Sequence, residues 1–154
     1  MSLAPPDDRV RYAELHCRSQ FSFLHGASSP ERLVEVASQL GLDALAVTDR
    51  HGFYGVVRFA QAAREAGVRT VFGAEVQCGQ PAASRGNLVV VADGPDGYVA
   101  LSRALTAGQL RGKKSQPQFD IASLAETLRD TCWVLTGGAD GMLAAALRTG
   151  GVDA

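Results

Sequence analysis

The chain lacks any run of apolar residues approaching the ~20 that a helix needs to cross a bilayer. Its first residues, Met1 to Val10, are polar and contain proline, without the apolar centre of a secretory leader. No CxxC pair is present. The three cysteines, Cys17, Cys78 and Cys132, lie far apart, and an odd count outside a secretory context reads as reduced thiols in a cytoplasmic protein with no membrane partner. Neither sign of charge dominates: 15 Lys and Arg face 16 Asp and Glu, for a net charge of -1. Without a basic surface to release counterions from phosphates, stand-alone DNA binding is disfavoured. The densest positive patch is Arg111-Gly112-Lys113-Lys114, in an expected loop. Aromatic residues make up only 6%, so the single Trp133 has no companions for a base-stacking platform and reads as packing. No phosphate-cradling loop and no Ser-His-Asp spacing stands out.

What is present is a regular alternation of strands and helices. At 154 residues, with 46% hydrophobic and 20% charged content, the chain suits one globular domain with a real core, short of the ~250 residues of an eight-stranded barrel. Strands are expected at 12–15, 44–48, 70–76, 88–92 and 132–136, each a near-continuous apolar run of the kind buried on both faces in parallel sheets. Ser28-Ser29-Pro30-Glu31 opens the first helix with a serine cap, a first-turn proline and an acidic residue at the positive end of the dipole. A second helix is expected at 54–66, closed by Gly67. A third starts at Pro95, a fourth is capped by Asp120, and a last one covers 142–147. Residues 79–86 read as a loop and 108–118 as a polar linker. Five βα units in order predict a mostly parallel, incomplete barrel, with the chain a fragment of it.

Three of the strands stop at residues with chemistry. His16 ends the first, Asp49 the second and Glu75 the third. In a wound sheet such positions converge on one rim. Histidine with carboxylates suits zinc, manganese or iron, and a rim cluster of such metals hydrolyses phosphate esters. His25 and His51 would add ligands from adjacent loops. Polar residues at strand ends also hydrogen-bond loop backbone, and spacing alone leaves both readings open. Arg18 and Arg50 bear on the choice. A guanidinium stays protonated and has no lone pair to donate, so either arginine is expected to pair with Asp49 or Glu75 and replace a cation's charge. Cys17, one residue after His16, is expected to face the other side as a small buried residue, and Cys132 reads as strand core.

The segments Tyr12-Ala-Glu-Leu-His-Cys-Arg-Ser19, Ser22-Phe-Leu-His-Gly-Ala-Ser28, Ala46-Val-Thr-Asp-Arg-His-Gly52, Tyr54-Gly-Val-Val-Arg-Phe-Ala60 and Val71-Phe-Gly-Ala-Glu75 resemble the polymerase and histidinol phosphatase (PHP) domain. Within that family they are similar to the N-terminal domain of bacterial error-prone C-family polymerase alpha subunits. The resemblance spans Tyr12 to about Gly151. It implies a truncated PHP domain at 12–154 behind a tail at 1–11, built as part of a distorted (β/α)7 barrel with a rim site for up to three metals. Of the implied metal positions, His16, Asp49 and Glu75 keep a ligand and His25 stands where an acidic residue is usual. Arg18, Arg50 and Asn87 replace expected histidines. The resemblance therefore implies a degenerate site without catalytic residues, no cofactor beyond a residual Zn, Mn or Fe, and a structural role. The implied partners are the rest of a polymerase alpha subunit and replisome or mutasome proteins, with DNA reached only through the full-length polymerase in damage-induced synthesis. Two alternatives stand beside it: a phosphoesterase or 3′-5′ exonuclease with a reduced metal set, and a stand-alone interaction module.

Overall fold

Local chemistry sets the first helix. In the computed structural model, which describes residues 11–79 and 86–150, α1 (Pro30–Gln39) begins at Ser29, whose hydroxyl accepts from the Arg32 amide. One of the orphan amides of the first turn is thereby satisfied. Replacing Ser29 with alanine is expected to lower stability by about 1 kcal/mol, measured by urea unfolding, with an unchanged denaturant slope.

The remaining elements are β1 (Ala13–Glu14), β2 (Ala44–Arg50), α2 (Val56–Ala66), β3 (Thr70–Cys78), β4 (Gly86–Ala92), α3 (Gly94–Arg111), α4 (Ile121–Leu128), β5 (Cys132–Leu135) and α5 (Met142–Gly150). The five strands hydrogen-bond in chain order. β1, β2 and β3 are parallel; β4 is antiparallel to both β3 and β5. Four of the five strands therefore run one way, as an incomplete and mostly parallel barrel requires, but the expected unbroken series of βα units does not hold. The connection from Cys78 to Gly86 is too short for the crossover of a dozen or more residues that a parallel neighbour needs, so β4 returns antiparallel. Most of the loop expected at 79–86, and of the tail expected at 1–11, lies outside the described residues.

Helices pack the sheet in two clusters. Val34 and Ala37 of α1 and Phe59 and Ala63 of α2 meet Leu45 and Val47 of β2. Leu101, Ala104 and Leu105 of α3 and Leu124 and Leu128 of α4 meet Ala74, Val76 and Cys78 of β3 and Val90 of β4. The expected linker at 108 starts late, because α3 continues to Arg111. Gly108 is buried inside that helix, where any Cβ would collide with the Phe119 ring, so this glycine serves close approach and not termination. Asp120 caps α4 as expected, accepting from the Ser123 amide at 2.8 Å. At the far edge Trp133 is 66% exposed, not packed as expected, and its indole N–H donates to Asp93 at 3.3 Å. Val134, Leu143 and Leu147 are exposed with it. Among the described residues no helix is long and apolar enough to cross a membrane.

Candidate functional site

Strand parity decides which rim residues meet. In the β2–β3 register Arg50 lies beside Glu75, and Asp49 beside Ala74. Successive side chains point to opposite faces. Arg50 and Glu75 therefore share the face away from the helices, and Asp49 shares the helix-covered face with Ala74, a residue of the α3–α4 core.

Glu75 is 1% exposed and is the centre of a cationic cluster. His16 Nε2 lies 2.7 Å from Oε2 and donates to it. Arg18 Nε donates to the same oxygen at 2.9 Å, and Arg18 Nη2 joins it there. Oε1 faces Arg50 Nε at 3.3 Å, an ion-pair distance without hydrogen-bond alignment, and both atoms are buried with no hydrogen-bond partner. Burial works against the charged carboxyl, but hydrogen bonds from His16 and Arg18, with their charges, hold its pKa below the ordinary 4.5. Arg50 also donates through Nη1 to His25 Nε2 at 2.6 Å, which fixes that nitrogen as an acceptor. His16 is steadied from behind, its amide donating to Glu14 at 2.8 Å.

Asp49 belongs to a separate knot. It accepts from the Ser19 amide at 2.8 Å, the Ser19 hydroxyl at 2.8 Å and the Ser22 hydroxyl at 2.7 Å. No arginine touches it among the described residues. The Ser22 hydroxyl also accepts from the Arg50 amide at 3.0 Å. Ser19 and Ser22 are both buried. Sequence reasoning assigned them no role, because a serine in a loop carries no sign of which carboxylate it serves. The knot pins the β1–α1 loop, whose tip exposes Phe23 and Leu24.

His51 stands apart from Glu75's oxygens. Its ring stacks on Phe119, with centroids 5.5 Å apart and planes 12° from parallel, and its Nδ1 is buried without a partner. Burial first, then the Arg50 charge, pushes its pKa down to about 4, so the imidazole is neutral at physiological pH. Cys17 packs against the α1–α2 cluster, and burial, helped by Glu14 and Asp49, pushes its thiol up to about 11, which removes it as a nucleophile. Asn87, on β4, keeps a buried side-chain oxygen without a partner.

Among the described residues no group of three or more His, Cys, Asp or Glu side chains converges as a cation would need. Glu75, a rim carboxylate on the inner face, is already surrounded by guanidinium groups that cannot ligate. What the arrangement does chemically is neutralise a buried carboxylate and lock the ends of β1, β2 and β3 together.

The fold is part of a mostly parallel α/β barrel, with the Glu75 cluster on its rim. A solved structure from Bifidobacterium adolescentis, named as a metal-dependent phosphoesterase, matches with a TM-score of 0.53 and 19% identity over 94% of this chain and 52% of its own. The pattern of the PHP domain matches residues 14–154, and the chain belongs to that family. It is 48% identical to an error-prone DNA polymerase of Mycolicibacterium paratuberculosis over 97% of this chain. It is 50% identical to the error-prone DNA polymerase of Mycobacterium tuberculosis strain H37Rv over 92%. The chain spans about 15% and 14% of the length of these two relatives.

Proposed function

We propose that this chain is the PHP domain of an error-prone DNA polymerase alpha subunit, at 12–154 behind a short tail, in which Arg18 and Arg50 stand in for metal charge on Glu75. The domain supports the polymerase body and catalyses nothing itself. DNA synthesis across damage would belong to the rest of that subunit, which would act with replisome or mutasome proteins in the cytoplasm. The observation that carries this reading is the buried Glu75 carboxylate held by His16, Arg18 and Arg50. A guanidinium cannot be lost to a chelator, whereas a bound cation can, so the rim would keep its geometry whatever the metal supply.

One observation favours a second reading, a phosphoesterase with a reduced metal set: His51 Nδ1 is a buried donor atom with no partner. Metal content by mass spectrometry, on protein purified without chelator, separates the two. The expected result is substoichiometric zinc, manganese and iron, unchanged in Glu75→Ala. Stoichiometric metal that disappears in Glu75→Ala, with metal-dependent hydrolysis of a phosphomonoester, would overturn the structural reading.

A further inference from the structure

The sheet reaches β5 before its cover does. Val134 stands beside Val90 in the β4–β5 register and shares its helix-covered face, yet Val90 is fully buried and Val134 is 53% exposed. On the other face Trp133 stands beside the buried Val91 and is itself exposed. Large apolar side chains are thus uncovered on both faces of one strand. The chain after Leu135 does not return to cover them. It turns over β4, where the Asn87 amide donates to the Asp140 carbonyl at 2.8 Å, and Met142 sits so close that a Cβ on Gly86 would meet its Cα at 2.5 Å.

The backbone of β5 is as open as its side chains. The Asp93 amide donates to the Thr131 carbonyl at 2.9 Å, which makes that pair a hydrogen-bonded one, and such pairs alternate along an antiparallel ladder. Trp133 and Leu135 therefore point their amides and carbonyls at β4, whereas those of Cys132 and Val134 point outward. Among the described residues no backbone group meets them there. Sheet edges are normally blunted by shortness, charge, proline or a bulge. The opposite edge is blunted, because β1 is two residues long and ends on Glu14. Residues 131–136, Thr-Cys-Trp-Val-Leu-Thr, carry no charge and no proline, and β5 runs along β4 without a bulge.

We propose that this edge pairs with the same edge of a second copy of the chain, β5 antiparallel to β5 across a twofold axis, so that one sheet runs through both molecules. Opposed residues of an antiparallel pair share a face, so the axis sets one residue opposite itself. Centred on Trp133, Cys132 of each copy exchanges both hydrogen bonds with Val134 of the other, and only groups within β5 are used. Centring on Val134 would call on Thr136, whose carbonyl is turned against Gly141. The two indoles then form a non-hydrogen-bonded pair, where side chains approach closest and aromatic pairs stabilise. Arg129 and Asp130 come level with Gly137 and Thr136 of the second copy, so no like charges meet. A foreign strand would have to match this short neutral segment, whereas a second copy matches it by symmetry. The indoles, valines and edge backbone bury roughly 600–1,000 Å², short of the ~1,200–2,000 Å² of a stable complex, so the dimer is weak. The inference goes beyond the structural role proposed above, and holds whether or not the Glu75 cluster takes a metal.

Trp133 is the single tryptophan of the chain, so its emission reports on the interface without a label. Sedimentation velocity of the 154-residue chain, with emission spectra at the same concentrations, tests the proposal. The expected result is a mass near 16.2 kDa at about 2 μM that approaches twice that value by about 200 μM, as suits a small interface, with the emission maximum moving to the blue in step. Trp133→Lys sets two like charges opposite each other and should weaken association at least roughly 10-fold. Phe23→Lys, at the exposed tip of the β1–α1 loop, should associate as the parent does. A covalent variant checks the register. Cα atoms of a non-hydrogen-bonded pair lie about 4.5 Å apart, within disulfide reach, so Trp133→Cys should give a cross-linked dimer on mild oxidation that Phe23→Cys does not give. Three results overturn the proposal: a monomer at every concentration, as when another segment of the chain covers the edge; a dimer whose emission does not move; or Trp133→Lys and Trp133→Cys variants that behave as their Phe23 counterparts do.

Discussion

Glu75→Ala will lower the unfolding free energy by about 3–5 kcal/mol, the range for removing one partner from a buried ion pair. The loss comes less from the vanished attraction than from what remains. Arg18 and Arg50 keep their charge, with side chains only 27% and 21% exposed, and lose the one carboxylate that faced them. His16 loses its acceptor as well. Partial rehydration of the guanidinium groups relieves some of this, which places the expectation in the lower half of the range. Glu75→Gln keeps an oxygen for His16 or Arg18 and should fall between the two. Urea unfolding at neutral pH is the measurement. A loss in Glu75→Ala of less than about 1 kcal/mol, the scale of a surface pair, would mean that the cluster does not hold the rim together.

Acid titration of the same variants gives an independent signature. The folded pKa of Glu75 is held below its ordinary 4.5 by the hydrogen bonds and charges that outweigh burial. A carboxyl depressed on folding stabilises in full above its unfolded value and loses that contribution as pH falls through the folded value. The difference between wild type and Glu75→Gln should therefore be constant near neutrality and shrink below about 4.5. His51 titrates in both proteins, and in Glu75→Gln its pKa falls further, because the Glu75 charge that raises it is gone. Its folded pKa near 4 lies below the ordinary 6.5, so the unfolded chain takes up its proton first and stability falls on acidification below about 6.5. The difference curve removes the part of that slope that both proteins share.

Which parts were legible in the sequence follows from the range of the forces involved. The start of α1 and the start of α4 were, because Ser29 and Asp120 cap amides within three residues of themselves. Gly108 misled, since the feature that explains it is a ring eleven residues away, Phe119. β4 could be placed but not oriented, because an apolar strand reads the same in either direction and only the short connection sets its sense. The rim shows the same division. His16, Asp49 and Glu75 were legible as strand ends, and Arg18 and Arg50 as groups able to replace a cation. That Arg50 and not Asp49 lies beside Glu75 depends on the register of two strands, which no local pattern encodes. Trp133 read as packing because it has no companion aromatics for a stacking platform, whereas its strand lies at the edge of the described sheet.

Asp49→Ala is expected to destabilise by about 3 kcal/mol, through a different cause from Glu75. Asp49 is 2% exposed and is satisfied by donors that are themselves buried: the Ser19 amide and hydroxyl and the Ser22 hydroxyl. A Cβ on Gly55 would sit 3.1 Å from Asp49 Oδ2, so the carboxylate also lies against the N-terminal end of α2, where helix amides favour negative charge. Alanine leaves the Ser19 amide with no partner and no water, a penalty of about 1–3 kcal/mol, while the two hydroxyls can rotate and recover part of theirs. Asparagine separates geometry from charge. Its oxygen can accept from the Ser19 amide and its NH₂ can donate to a reoriented Ser19 hydroxyl, so Asp49→Asn should lose only about 1 kcal/mol. The loop supplies a local readout, because its tip exposes Phe23 and Leu24 to chymotrypsin. Cleavage there should quicken in Asp49→Ala, change little in Asp49→Asn, and stay slow in Glu75→Gln under conditions where all three remain folded. If the two Asp49 variants are damaged equally, the carboxylate acts through its charge and not as an acceptor for the loop, and the separation of the rim into an arginine-held Glu75 and a serine-held Asp49 fails.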